Sequence, residues 1–381
     1  LGFTYLFLLD QARYLHHYYL ICLLGLLLIF LPAHRKFSLD ALLRPGLRSD
    51  TAPAWTLWLL RLQFGVVYFY AGVAKCTSDW LHGEPVRTML AYKQQRFPDA
   101  GLFTRFFTEE WFVGFVAYGG LLFDLLVFPL LLFRTTRWFA FAGALAFHLA
   151  NTQLFDIDIF PWMALSATFI LFFPDCLPFG STQSIHATVN EDPGRRSPPR
   201  LTAGRKWTAG FVIAYALVQL LLPLRPFCYA GHPNWTDEGR KFSWRMLSRD
   251  FRPTRAPRFF VKFRKDGRTF EEEFPLPKDL DFWLRDWQFG TMLKSPDLIL
   301  QFVHLQAGDL RRQGAEEIDV RVSLEVSLNG REPQMYIDPS TNLAIEPRRI
   351  FTAYPWILPL TKPLPERGTE TKEPAKAYEI D

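Results

Sequence analysis

Cysteine is scarce, with only four among 381 residues. Cys22, Cys76, Cys176 and Cys228 lie far apart and form no CxxC pair. That excludes a disulfide-scaffolded protein and a cysteine-type zinc module. Charge is thin as well: Asp, Glu, Lys and Arg make up 21% of the chain, and the net charge of +5 is not gathered into one basic stripe. Nucleic acid is therefore excluded as a partner. No P-loop or GxGxxG motif stands between a strand and a helix, so no nucleotide site is legible. Neither an internal repeat nor a signal peptide with a basic n-region is present.

Apolar and aromatic residues are abundant. Hydrophobic residues make up 49% of the chain, including 37 Phe and 12 Trp. The mean hydropathy of +0.02 averages two unlike halves. Residues 1–224 carry long apolar runs, and residues 225–362 read as an ordinary mixed domain. The tail at 363–381 is charged and reads as disordered. A bilayer core needs about 20 mostly apolar residues per helix. Leu15–Leu31, Trp55–Val73, Trp111–Phe133, Phe155–Phe173 and Trp207–Leu224 qualify, and Trp138–Leu154 is a shorter candidate that contains His148. Tryptophans open several of these runs, as interfacial anchors do. Residues 1–9 are apolar but too short to span. They read as the end of a helix that begins upstream, so the membrane domain is expected to be N-terminally incomplete.

The expected fold class is an α-helical polytopic membrane bundle with a C-terminal extramembrane α+β domain. Loops 32–54, 134–137 and 174–206 hold eleven Lys and Arg, against five in loops 10–14, 76–110 and 151–154. That bias puts the first set in the cytoplasm. The second set and everything after Leu224 then lie on the extracytoplasmic side, in an inner-membrane or ER-type arrangement. Ser181–Arg205 reads as a cytoplasmic linker. Beyond the last span, Phe259–Phe263 and Thr269–Phe274 flank a Lys265-Asp266-Gly267 turn as a hairpin. Ser295–Arg312 reads as an amphipathic helix with Leu298, Phe302, Val303 and Leu305 at helical spacing. Val320, Val322, Leu324, Val326 and Leu328 alternate as a strand that Asn329-Gly330 turns back into Gln334–Ile337.

Ionisable side chains in spans are costly and need a reason. Lys75 closes the second span, where a lysine can simply snorkel to the interface. The functional alternative is a partly desolvated amine acting as a base. His16 and His17 open the first span, and His148 lies near the outer end of the Trp138 run. A lone intramembrane His often only bonds a neighbouring helix. The topology nevertheless assigns all of these to one leaflet, which is what a shared pocket requires. Arg61 and Asp124 are a candidate structural ion pair. A metal site from His16, His17, His148 and Asp156 is disfavoured, because adjacent histidines point to different helix faces. Cys76 reads as an interfacial packing residue beside Lys75 rather than a reactive thiol.

Several ordered motifs bear on these residues: Phe7-Leu8-Leu9-Asp10 followed by His17 and Tyr19-Leu20; VYFYAGVAKCTSDWLHG at 67–83; FHLANTQLFDIDIF at 147–160; and Asn234-Trp235-Thr236 with Ser243-Trp244 and Met246. The chain resembles the vitamin K-dependent gamma-glutamyl carboxylases in their bacterial form, with an HTTM-like membrane domain. The likeness continues through Asp266-Gly267-Arg268-Thr269 and the strand ending at Asn329, to about Leu360. It implies an enzyme of the carbon-carbon lyase type that carboxylates protein glutamate while vitamin K hydroquinone is oxidised to its epoxide. The co-substrates are vitamin K hydroquinone, O2 and CO2, with no metal. The implied partners are a glutamate-containing peptide or protein and the lipid bilayer. By the same resemblance Lys75 is the catalytic base, His17 assists at the glutamate and quinone site, and His148 hydrogen-bonds the quinone. Those three residues serve both catalysis and quinone binding.

Three departures touch the glutamate side. Ala74 precedes Lys75 where the family pairs two lysines, Tyr14 stands where the animal enzymes have Trp, and Arg245 follows Ser243-Trp244 where they have an acid. Rival readings are a quinol epoxidase without carboxylation, a non-catalytic membrane quinone-binding protein and a transporter. No pair of Gly/Pro-broken helices at matching positions supports transport. Retention of Lys75 and His148 separates an enzyme from a relic.

Overall fold

A computed structural model of the chain describes residues 1–97, 104–155, 157–176, 202–275 and 284–365. Most of the 181–205 linker, Asp156 and the tail from 366 fall outside the described residues. The chain divides into two compact units. One comprises Leu1–Tyr19, Ala74–Gly119 and the chain from Leu224; the other comprises Leu20–Val73 and Gly120–Pro223.

The molecule is a helical membrane protein with an α+β region. Among the described residues three helices are long and apolar enough to cross a membrane: Ala54–Lys75, Glu110–Leu132 and the run Ala203–Cys228. At 1.5 Å per residue the first is about 33 Å long, against a hydrocarbon core of about 30 Å. His16–Phe30 and Phe160–Phe172 are shorter apolar helices. They reach about 22 and 20 Å. The span expected at Phe155–Phe173 begins later for a local reason. Asp158 adopts a left-handed backbone (φ 52°), and the helix starts at Phe160 with Pro161 in its first turn. Arg137–Leu154 is helical throughout its 18 residues.

Within the second unit, Ala54–Lys75 and Glu110–Leu132 approach closely at small residues. A Cβ on Gly65 would lie 2.6 Å from the Phe128 ring, and one on Gly72 would lie 2.5 Å from Leu125. Small residues serve this purpose in membrane helices, where close packing replaces the hydrophobic drive. Arg61 does not pair with Asp124. Its Nε and Nη2 donate to the Leu171 carbonyl at 3.0 and 2.8 Å, at the end of Phe160–Phe172. The rings of Trp58 and Phe172 flank the guanidinium at 5.1 and 5.2 Å. A frayed helix end offers unsatisfied carbonyls, and a guanidinium meets them without bringing a second charge into the apolar layer.

In the first unit, β1 (Phe251–Pro253), β2 (Arg258–Lys265), β3 (Arg268–Pro275), β4 (Glu316–Ser323), β5 (Glu325–Leu328) and β6 (Gln334–Met335) form two three-stranded sheets. Their orders are β1-β5-β6 and β3-β2-β4. The expected hairpin is β2–β3, closed by Asp266 and Gly267, both at positive φ. That is the backbone a two-residue type I′ turn needs. The alternating run from Val320 to Leu328 is one pattern but two strands. It leaves one sheet and enters the other at Leu324, while all five apolar residues stay buried. The helix Pro296–Arg312 packs on these sheets through Ile299, Leu300, Phe302, Val303 and Ala307. Leu305, expected on the apolar face, is exposed.

Candidate active site

Lys75 is the last residue of Ala54–Lys75 and is 5% exposed. Two residues on, Thr77 caps a one-turn helix, Ser78–Leu81, by accepting from the Trp80 amide. The turn puts the Trp80 ring beneath the lysine, with the ammonium 5.1 Å from its centroid. A cation on an indole face in an apolar setting gains about 1–2 kcal/mol. Trp80 is buried and fixed at its other end, where Nε1 donates to the Ala117 carbonyl at 2.8 Å.

Asp79, the neighbour of Trp80, is 1% exposed. Arg331 grips it with both ends of its guanidinium, Nη1 to Oδ2 at 2.7 Å and Nη2 to Oδ1 at 2.8 Å. Asn329 Nδ2 adds a third bond at 2.7 Å. Burial alone would raise the Asp79 carboxyl, but these donors and the guanidinium charge outweigh it and hold the group below its ordinary value. Glu84, in the same loop, is treated oppositely. It is 2% exposed, accepts from Arg87 Nε at 2.8 Å and leaves Oε2 without a hydrogen-bond partner. Burial pushes it up from 4.5 to about 7, against the opposing pull of Arg87.

His17 is buried at the start of His16–Phe30, edge-on to Tyr18 at 4.5 Å. It belongs to the same unit as Lys75. Its neighbour His16 packs instead on Tyr14 and Trp244, at 5.4 and 6.2 Å, in an aromatic cluster of Tyr14, Tyr19, Phe242 and Trp244. Tyr19 stacks on Trp244 at 5.1 Å, and Tyr14 Oη accepts the Phe242 amide at 2.7 Å. Phe242, Trp244 and Leu247 all have φ between 51° and 65°. Left-handed backbone at three bulky residues costs of the order of 1 kcal/mol or more each, a strain found mostly at functional sites. Arg245 is buried and donates to Asn234 Oδ1, which also receives Arg240 and Ser248. Asn234 Oδ1 is therefore a shared acceptor for Arg240, Arg245 and Ser248.

His148 lies in the second unit and is 1% exposed. Its Nε2 is 3.0 Å from Tyr68 Oη. Phe123, Phe147 and Phe160 surround the imidazole, with centroids 5.8, 5.3 and 5.9 Å away. Nδ1 is buried without a hydrogen-bond partner. Leaving such an atom unsatisfied costs about 1–3 kcal/mol. If Tyr68 donates to Nε2, Nδ1 carries the proton and is a donor.

Two family matches account for most of the chain. The HTTM domain matches residues 1–175, and the lumenal domain of the vitamin K-dependent gamma-carboxylase matches residues 204–363. The chain belongs to the vitamin K-dependent gamma-glutamyl carboxylase family. No solved structure matches it. Family membership implies vitamin K as the cofactor and glutamate-containing substrates in general. The surroundings of His148 fit a quinone, because aromatic faces suit a flat ring and the unsatisfied Nδ1 suits an oxygen at its edge. Among the described residues no cluster of His, Cys, Asp and Glu could hold a metal ion. Cys76 is exposed and forms no disulfide.

Trp80, Asp79, Tyr68 and Phe160 lie inside the quoted motifs, yet residue-type reasoning passed over them because a Trp or Phe in an apolar run is most often packing. Arg331 had no local signal. Asn329-Gly330 read only as a turn, and the partner of Arg331 is 252 residues away in sequence.

Proposed function

We propose that this chain is a quinol-dependent membrane enzyme in which Lys75 is the base, His148 and His17 bind the quinol, and the acceptor is a peptide glutamate. The division at 224/225, with the active site and the later domain on the extracytoplasmic side, is part of this proposal. When bound, vitamin K hydroquinone supplies the reaction with O2 that yields its epoxide and drives addition of CO2 to glutamate. The chain's part is to take the quinol proton at Lys75 Nζ, to hold a quinol oxygen at His148 Nδ1, and to exclude water with the surrounding rings. The observation that carries this reading is the buried His148 Nδ1, unsatisfied within an aromatic enclosure.

The alternative of epoxidation without carboxylation is favoured by where the two departures sit: Tyr14, half-buried, accepts the Phe242 amide, and Arg245 is buried against Asn234, so both bear on the cationic, aromatic 234–249 region. The expected behaviour is epoxide formation faster than CO2 fixation. The test is Lys75→Ala in proteoliposomes with reduced vitamin K. Quinone binding should survive, epoxidation should vanish, and a small exogenous amine should restore part of the rate. Undiminished epoxidation in Lys75→Ala would move the base elsewhere.

A further inference from the structure

The segment that supports Lys75 has little stability of its own. Ser78–Leu81 is four residues long. An isolated turn of helix is unstable, so its orientation is set by what its side chains hold. Consecutive residues on a helix point about 100° apart. Trp80 therefore faces Lys75 and Ala117 while Asp79 faces a different partner, the Asn329-Gly330-Arg331 turn that follows β5. That partner is rigid. Arg331 also donates through Nε to Lys362 O at 3.1 Å and through Nη1 to Leu328 O at 3.2 Å. Asn329 exchanges bonds with Asp250, each 2.8 Å long. Gly330 has φ +75°, and a Cβ there would come 2.9 Å from Thr88. The turn thus meets the Lys75 loop at two places, Asp79 and Thr88.

We propose that Arg331 and Asp79 are positioning residues for the reaction. Their fork-to-fork ion pair fixes the one-turn helix, and through it the Trp80 ring against which Lys75 Nζ is held. The proposal rests on the reading of Lys75 as the base. It adds that a residue of the C-terminal region governs the base's geometry, so a change at Arg331 reaches the chemistry without touching a reactant. Lysine cannot replace arginine here, because a point charge satisfies one carboxylate oxygen where the planar fork satisfies two.

The test is the pH profile of quinol epoxidation by the full chain in proteoliposomes, per folded molecule. It compares the unmodified protein with Arg331→Lys, Asp79→Asn, Trp80→Leu, Trp80→Phe and Lys75→Ala. Loss of a merely structural bond lowers the folded fraction and leaves the pH midpoint of the surviving molecules in place. Loss of positioning moves the midpoint, because the amine's surroundings change. Arg331→Lys should lower kcat about tenfold, a loss typical for a reacting group displaced by a fraction of an ångström. It should leave the quinol KM nearly unchanged and shift the midpoint in the same direction as Trp80→Leu. Trp80→Phe, which keeps an aromatic face, should recover part of the loss. If Arg331→Lys does not fold, Asp79→Asn should show the same shift in weaker form. A wild-type midpoint in every folded clamp variant, beside an inactive Lys75→Ala, overturns the clamp alone. An active Lys75→Ala overturns the base assignment and the clamp's role with it.

Discussion

Glu84 is a buried carboxyl with one oxygen bonded to Arg87 and the other unsatisfied. Its folded value is raised from 4.5 to about 7, chiefly by burial. For a raised carboxyl the folded state holds its proton more tightly than the unfolded chain does. Below pH 4.5 both states are protonated and the group costs nothing. Between pH 4.5 and 7 the unfolded chain ionises first, and stability falls. Above about pH 7 the full penalty is present, about 3 kcal/mol. Glu84→Gln keeps an acceptor for Arg87 and removes the titration. The variant should match the parent at pH 4.5 and exceed it at pH 8 by up to about 3 kcal/mol. Tryptophan fluorescence during thermal unfolding in detergent, from pH 4.5 to 8.5, provides the assay. It is well placed because Trp80 sits in the same loop. A stability difference that does not change with pH, or a variant less stable at pH 8, would refute the reasoning.

Other outcomes follow from the same contacts. Asp79→Ala leaves Arg331 buried without its carboxylate, which should cost about 3–5 kcal/mol in unfolding experiments at pH 7. In the unmodified protein the stability Asp79 supplies should fade as pH drops below the ordinary carboxylate value, because its folded value is depressed. His148→Phe keeps the aromatic packing but removes the nitrogen. It should fold normally and bind quinone about tenfold or more weakly, the effect of one buried hydrogen bond, as read by quinone titration. In a cysteine-free background, an impermeant thiol reagent on intact cells should label Lys265→Cys and spare Asn190→Cys; the reverse pattern would invert the topology.

The parts of this fold that were legible in the sequence are those with a local cause. Asp266-Gly267 announced the β2–β3 hairpin because only a few residue types accept its backbone. The alternation from Val320 to Leu328 revealed which side chains are buried. It could not reveal the change of sheet at Leu324, since the pattern runs through the bend unbroken. Apolar runs located the helices, but the start of Phe160–Phe172 depended on the left-handed backbone at Asp158, which hydropathy does not register. Lys75 and His148 stood out as costly residues in apolar segments. What the sequence concealed is pairwise and distant: Arg61 turning to a helix-end carbonyl instead of Asp124, and Arg331 reaching back to Asp79.

The central claim is that Lys75 drives oxygenation of a quinol in the membrane, with glutamate as the acceptor of CO2. Its most direct measurement uses purified protein in lipid with reduced vitamin K, O2, labelled CO2 and a short Glu-rich peptide, counting epoxide and fixed label together. The account predicts epoxide in clear excess over fixed CO2, and neither product from Lys75→Ala. Absence of epoxide from the unmodified protein, or equal epoxide with and without Lys75, would contradict it.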